Sequence, residues 1–151
     1  MSVTVRPSVT EDFTGVFGLL SQLWPEKSLN EISMREAFES GLSMESEVFL
    51  SAVLDRDMVG FASISMDNSL YHGGLLAWVE ALVSDKNSRG KGVGTALVNR
   101  VIEEAIQRRC KAVEIMIDNQ AHAVKFVKNK GFQLRGNAFE LKLPTFSEKT
   151  L

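Results

Sequence analysis

Residues 79–95 read Val-Glu-Ala-Leu-Val-Ser-Asp-Lys-Asn-Ser-Arg-Gly-Lys-Gly-Val-Gly-Thr, and the fold turns on this stretch. An apolar strand runs into a short polar turn, then into a basic loop with glycine at 90, 92 and 94. An amphipathic helix follows at once, with Val93, Leu97, Val98, Val101, Ile102 and Ala105 at helical spacing. Glycine lets backbone approach a ligand closely, and the first turn of a helix offers unpaired N–H groups at a positive dipole end. Arg89 and Lys91 add full charges at the same place. Together these features describe a cradle for a phosphate or pyrophosphate. Read alone, the loop also allows a plainer account, a glycine-rich turn that only caps the helix.

Two familiar nucleotide loops do not fit. A P-loop needs Gly-Lys-Ser/Thr, and Lys91 is followed by Gly92. A dinucleotide fingerprint needs Gly-x-Gly-x-x-Gly, and Gly90, Gly92 and Gly94 are too tightly spaced. What remains is Arg-x-x-Gly-x-Gly, carried by Arg89, Gly92 and Gly94.

Working outward, 151 residues suit a single domain with a sizeable core, expected over residues 1–144 with a loose polar tail at 145–151. Hydrophobic content of 44% and charged content of 24% are those of an ordinary globular protein. No run approaches the roughly 18 apolar residues of a membrane span, and the start lacks a signal-peptide core. A cytoplasmic protein without a membrane partner is expected. Cys110 is the one cysteine, which excludes an internal disulfide and a cysteine-based zinc site. Its place between a helix and an apolar strand reads as a small buried residue. The formal net charge of −2 conceals a segregation. Residues 1–85 carry thirteen acidic and four basic side chains, whereas residues 86–130 carry four acidic and ten basic. The basic segment coincides with the anion cradle, and the acidic one suits a cationic second ligand. A pI near 5.7 and no basic patch interleaved with aromatics argue against a nucleic acid partner.

The chain alternates between strand and helix signals. Val3 to Arg6 is a first strand stopped by Pro7. Ser8 and Glu11 have capping-box spacing and open a helix with Phe13, Val16, Phe17, Leu20 and Leu23 inward. Ser28 and Glu31 make a second box, and Ile32, Ala37 and Phe38 mark a second helix. Val48 to Leu54 and Met58 to Met66 form a hairpin about Asp55-Arg56-Asp57. Leu75 to Val83 is the central strand, with Val79, Ala81 and Val83 expected on one face and Trp78, Glu80, Leu82 and Ser84 on the other. Lys111 to Ile117 is a buried strand, Ala121 to Lys130 a helix stopped by Gly131, and Phe132–Leu134 and Ala138–Leu143 two closing strands. The order β-α-α-β-β-β-α-β-α-β-β predicts a mixed α/β (α+β) fold, a central sheet flanked by helices.

That order, the Arg-x-x-Gly-x-Gly loop and two further blocks resemble the GCN5-related N-acetyltransferase (GNAT) superfamily. Glu80-Ala81-Leu82-Val83 is similar to its central strand, and Ala123, Phe126, Gly131 and Phe132 to its last helix and the Gly-Phe that follows. The resemblance covers nearly the whole chain. It implies an acyl-CoA N-acyltransferase fold and acetyl transfer from acetyl-CoA, as co-substrate, to an amine by direct attack on the thioester. It also implies cofactor contacts by Arg89, Gly90, Lys91, Gly92, Val93, Gly94 and Thr95 at the pyrophosphate. Leu82, Val83 and Ser84 would contact pantetheine through main chain, with a backbone N–H near Leu82 or Val83 on the thioester oxygen. Asn119, Gln120 and Phe126 would complete the cofactor site.

An alkylamine with pKa near 10 must lose a proton to attack, which at neutral pH amounts to about 4 kcal/mol. Glu80, a carboxylate on an otherwise apolar strand, is the candidate base, directly or through water. Pairing with a basic residue, or orienting the substrate, is its alternative. The family's thiol-protonating tyrosine falls on Val127, so Ser84, His122 or solvent would take that task. Tyr71 and His72 lie in a turn, where an exposed histidine is the commoner case. His72 and His122 lack the partner spacing of a metal site, so no metal is expected. The acceptor is read as a small cationic amine (a polyamine, aminosugar or aminoglycoside-like molecule). Gln22-Leu23-Trp24-Pro25 and Gly60-Phe61-Ala62 resemble an aminoglycoside-acetylating branch. Acetylation of a protein or peptide, and a non-catalytic coenzyme A-binding module, stand as alternatives. A homodimer through sheet edges is compatible with the resemblance.

Overall fold

The computed structural model describes residues 2–118 and 121–144, and the tail expected at 145–151 lies outside the described residues. The chain divides into two compact units, Met1–Met116 and Ile117–Leu151. The first unit runs β1 (Thr4–Pro7), a single 3₁₀ turn, α1 (Phe13–Leu23), α2 (Glu31–Leu42), β2 (Glu47–Leu54), β3 (Asp57–Ser69), β4 (Gly74–Ser84), α3 (Val93–Gln107) and β5 (Ala112–Ile115). The sheet order is β1-β2-β3-β4-β5, antiparallel except for the parallel β4–β5 pair, which α3 connects.

The sheet is covered on both faces. On one, Val93, Leu97, Val101 and Ala105 of α3 pack on Leu50, Ala52, Ala62, Ile64, Ala77 and Val79. On the other, Phe13, Val16, Leu19 and Leu20 of α1 and Phe38 of α2 pack on Phe61, Ala81 and Val83. The helical spacing expected for α3 therefore buries Val93, Leu97, Val98, Val101 and Ala105, with Ile102 partly buried. Of the three residues that marked α2, Phe38 is buried, with Gly41, whereas Ile32 (74% exposed) and Ala37 face outward.

Both helix starts differ from the expected capping boxes. At α2 the cap is Asn30, whose Oδ1 accepts from the Ser33 N–H at 2.9 Å. At α1 the Ser8 hydroxyl is drawn into the sheet, 2.7 Å from the Ser51 hydroxyl. Asp12 takes over: its carboxylate accepts from the Val9 N–H, from Ser51 Oγ and from both terminal nitrogens of Arg6. A buried hydroxyl needs a partner, and the strand supplied one that local sequence could not show. The β2–β3 hairpin turns through Asp55 and Arg56, both at positive φ (52° and 72°), as a two-residue primed turn requires.

In the second unit, α4 (Ala121–Asn129) ends as expected near Gly131. Phe132 N–H donates to the Val127 carbonyl and Gly131 N–H to that of Lys128, a Schellman closure with Gly131 at φ 96°. The two closing strands are not formed: 132–134 and 138–143 carry no strand among the described residues. Leu134, Phe139, Leu141 and Leu143 are 89%, 96%, 85% and 77% exposed. Alternating apolar residues make a strand only when a neighbouring strand supplies packing, and the described residues of this unit include none.

Two outcomes follow for stability. A Cβ on Gly60 would stand 2.6 Å from Val93 Cγ1, 3.0 Å from Leu97 Cδ1 and 3.1 Å from the Val83 carbonyl oxygen. Gly60→Ala should therefore cost about 1–3 kcal/mol in chemical denaturation. The hydrogen bond from Arg6, helped by the Val9 N–H, by Ser51 and by the Arg6 charge, holds the Asp12 carboxyl below the usual carboxylate range against the opposing effect of burial. Its contribution is thus full above the ordinary carboxylate pKa and is lost as pH falls through the lowered value. Melting temperatures of wild type and Asp12→Asn should differ at neutral pH and converge in acid.

Candidate active site

Strand β4 pairs with β3 along its length but with β5 only from Leu76↔Ala112 to Val79↔Ile115. Met116 N–H donates to the Val79 carbonyl at 3.1 Å, and there the pairing stops. From Glu80 to Ser84 one edge of β4 is open among the described residues. The β3 register explains what that edge presents. Ser63 faces Ala81 and Ile64 faces Val79, so Glu80 is an extra residue, a β-bulge.

A bulge shifts the two-residue alternation by one. Val79 packs on the α3 face, whereas Ala81 and Val83 pack on the α1–α2 face. The expectation that these three share a face is corrected accordingly, since strict alternation assumed an unbroken pleat. The backbone shifts likewise. Before the bulge the carbonyls of Leu75 and Val79 accept from Lys111 and Met116, on the β5 side. After it Asp85 N–H donates to Val59 of β3 at 2.7 Å. Alternation back from Asp85 turns Val83 toward β3 and leaves the main-chain groups of Leu82 and Ser84 on the open edge. The main chain of Val83, expected on the open edge with Leu82 and Ser84, is thus turned to β3, and that of Leu82 and Ser84 alone faces the open edge.

Glu80 is exposed and has no hydrogen bond or ion pair among the described residues, so the pairing expected as its alternative is not made. Beyond β4 the chain makes a 3₁₀ turn at Lys86–Ser88 and enters the glycine loop. Gly90 and Gly92 sit at φ 83° and 82°, and nothing lies within 4 Å of a Cβ built on either. These glycines answer to backbone conformation, not to crowding. Gly92 caps α3 without a side-chain hydrogen bond, so the N–H groups of its first turn, Val93 to Thr95, remain for a ligand. Arg89 and Lys91 are exposed beside them.

The sequence offered no sign of what holds this loop. Gln22 of α1 donates from Nε2 to Asp85 Oδ1 at 2.9 Å and accepts the Lys86 N–H at 3.0 Å. One amide thus ties α1 to the turn leaving β4. A partner 63 residues away in sequence leaves no local pattern.

The sequence profile of the Acetyltransferase (GNAT) family matches residues 9–132. The chain belongs to that family. It is an acetyl-CoA-dependent N-acetyltransferase, which sets aside a non-catalytic coenzyme A module. Glucosamine 6-phosphate N-acetyltransferase 1 of Oryza sativa subsp. japonica is 31% identical over 116 residues, covering 74% of this chain and 70% of that one. Aminoalkylphosphonate N-acetyltransferase of Salmonella typhimurium is 25% identical over 130 residues, 85% and 84% of the two chains. A solved structure from Bacillus halodurans C-125, named as a transcriptional regulator, shares the fold with TM-score 0.82 at 22% identity, covering 93% and 99%.

Other candidate residues of this acetyltransferase are placed as follows. His72 is not an exposed loop histidine: its side chain is 15% exposed, with Nδ1 2.9 Å from Ser69 Oγ and Nε2 3.6 Å from Glu114. Tyr71 is 73% exposed and meets the His72 ring edge-on. Phe126, half-buried under Lys130 Nζ at 5.5 Å, and the buried Val127 belong to α4 of the second unit, as does exposed His122. Asn119 and Gln120 lie outside the described residues. Burial pushes the Cys110 thiol up, and its sulfur donates to Met66 Sδ at 3.4 Å, so it is a packing residue. The loop's two kinds of glycine should separate experimentally. Gly92→Ala forces a left-handed residue and should lower stability by about 1–2 kcal/mol. Gly94→Ala, inside α3 at ordinary φ, should leave the melting temperature unchanged or raise it.

Proposed function

We propose that this enzyme transfers an acetyl group from acetyl-CoA to a primary amine of a small cationic acceptor, with Glu80 as the base. The observation that carries the reading is an exposed, unpaired carboxylate on a bulge, one step from the open main-chain edge at Leu82 and Ser84. The uncapped first turn of α3 and its left-handed glycines fit a pyrophosphate, so Arg89 to Thr95 are assigned to the cofactor's anionic end. Bound acetyl-CoA supplies an acetyl thioester, activated toward amines.

The chain's own residues have three tasks. Leu82 and Ser84 would bind pantetheine through the groups β5 leaves unpaired. The Leu82 N–H would donate to the oxygen on which negative charge develops, where a preorganised donor is worth most. Glu80 would take the acceptor's ammonium proton, directly or through a water, and an exposed carboxylate can pass it on to solvent. No acid is offered at Val127, so solvent or Ser84 Oγ returns a proton to the departing thiolate. The acidic first 85 residues support a cationic acceptor. A second reading has its own support: the two curated relatives are named for amines that carry phosphate or phosphonate.

Glu80→Gln should lower kcat/KM by about 10²–10⁴-fold and flatten the rise of rate with pH. An unchanged profile would remove Glu80 from the chemistry. Gly94→Ala, in the first turn of α3, should weaken coenzyme A binding in calorimetry, because an added methyl would narrow the approach of phosphates to the first-turn N–H groups.

A further inference from the structure

Beyond the bulge, the α1–α2 face of the sheet changes from apolar to polar along one line. Glu47 pairs with Ser65, Ser65 with Trp78, and Trp78 with Glu114, so four side chains form one transverse row across β2, β3, β4 and β5. Alternation from Phe49 and Phe61, both packed against α1 and α2, puts the row on that face. Three strand spacings separate its ends, about 14 Å. All four residues are partly buried. Glu47 accepts from Ser65 Oγ at 2.7 Å, and Glu114 faces His72. Trp78, between the carboxylates, makes no ring or cation contact among the described residues.

A second observation points to a ligand. Ser63 lies on the same face, between Phe61 and Ser65 along β3 and opposite Ala81 beside the bulge. It is 9% exposed, and its Oγ has no hydrogen-bond partner among the described residues. A buried hydroxyl left unpaired is costly, and an ammonium or amine offers the donors it lacks. The order along the sheet is thus Glu80 and Ser63, then, about 7 Å further, an indole flanked by two carboxylates.

We infer that the Glu47–Ser65–Trp78–Glu114 row is the subsite for a second ammonium of the acceptor, which makes the acceptor a linear aliphatic diamine or polyamine. The inference rests on the reading above and sharpens it. The reacting amine lies at Glu80 and Ser63, and the distal ammonium sits over the Trp78 ring between Glu47 and Glu114. A desolvated cation over tryptophan is favourable, and partly buried carboxylates are screened less than exposed ones. The same row repels a phosphate or phosphonate, so it separates the two acceptor readings.

The test is calorimetry on the full chain with coenzyme A, using putrescine, butylamine and aminoethylphosphonate, with thiol release from acetyl-CoA followed in parallel. Wild type should bind putrescine at least tenfold tighter than butylamine. That ratio should fall about tenfold in Glu47→Gln and in Glu114→Gln. Equal binding of the two amines by wild type, a ratio unmoved in both variants, or preference for aminoethylphosphonate would overturn the subsite. In Trp24→Phe, which leaves Trp78 as the one tryptophan, putrescine should shift the fluorescence and butylamine should not; the reverse also overturns it. Preferential putrescine binding without thiol release would sink the catalytic reading and leave the subsite standing. Thiol release without that preference would do the opposite.

Discussion

A strand has two edges, and β4 uses both only as far as Val79. The candidate site follows from that interruption. One inserted residue, Glu80, moves the following side chains to the opposite face and turns the main chain of Leu82 and Ser84 outward, where β5 no longer pairs with them. An unpaired N–H and C=O in a partly covered setting is a cost unless a ligand takes it up. The same bulge lifts an acidic side chain out of an apolar strand. Open edge and candidate base are therefore products of one irregularity rather than two separately placed features.

The loop after β4 inherits its position from this strand and from α1. Gln22 fixes Asp85 and Lys86, so the chain enters the glycine turns from a defined point. Gly90 and Gly92 then take left-handed conformations and deliver α3 with its first turn uncapped. The packing of Val93 and Leu97 against Gly60 on β3 holds that helix start close to the sheet. Glycine loop and open edge thus belong to one arrangement within the first unit, with basic charge gathered at one end. The α1–α2 face of the sheet carries Glu47 and Glu114, and Glu80 stands exposed at the bulge. A ligand with an anionic end and an acceptor with cationic groups would meet between them without competing for the same charges.

Much of this was legible in residue order. The 3.6-residue spacing of α3, the glycines at 90, 92 and 94, the basic flanks and the β2–β3 hairpin about Asp55 and Arg56 all express local rules that survive folding. Glu80 stood out because a carboxylate in an apolar run has few structural reasons to be there. What misled was also local. Ser8 and Ser28 matched a capping pattern, yet Ser8 found Ser51 across the sheet and Asn30 capped α2. Residues 138–143 alternate as a strand should, but alternation states a need for a partner and cannot supply one.

Sequence by itself determined the element order through β5 and α4, the glycine loop and hence the family, because each rests on short-range spacing. Tertiary structure decided which side each residue faces. The bulge at Glu80 appears only when β3 is laid against β4, since the count of residues on one strand has meaning only relative to its neighbour. The row from Glu47 to Glu114 has the same origin: its members are scattered over 68 positions and are brought into line by register alone. His72 became a partner of Glu114 for that reason, and Gln22 a clamp on the loop.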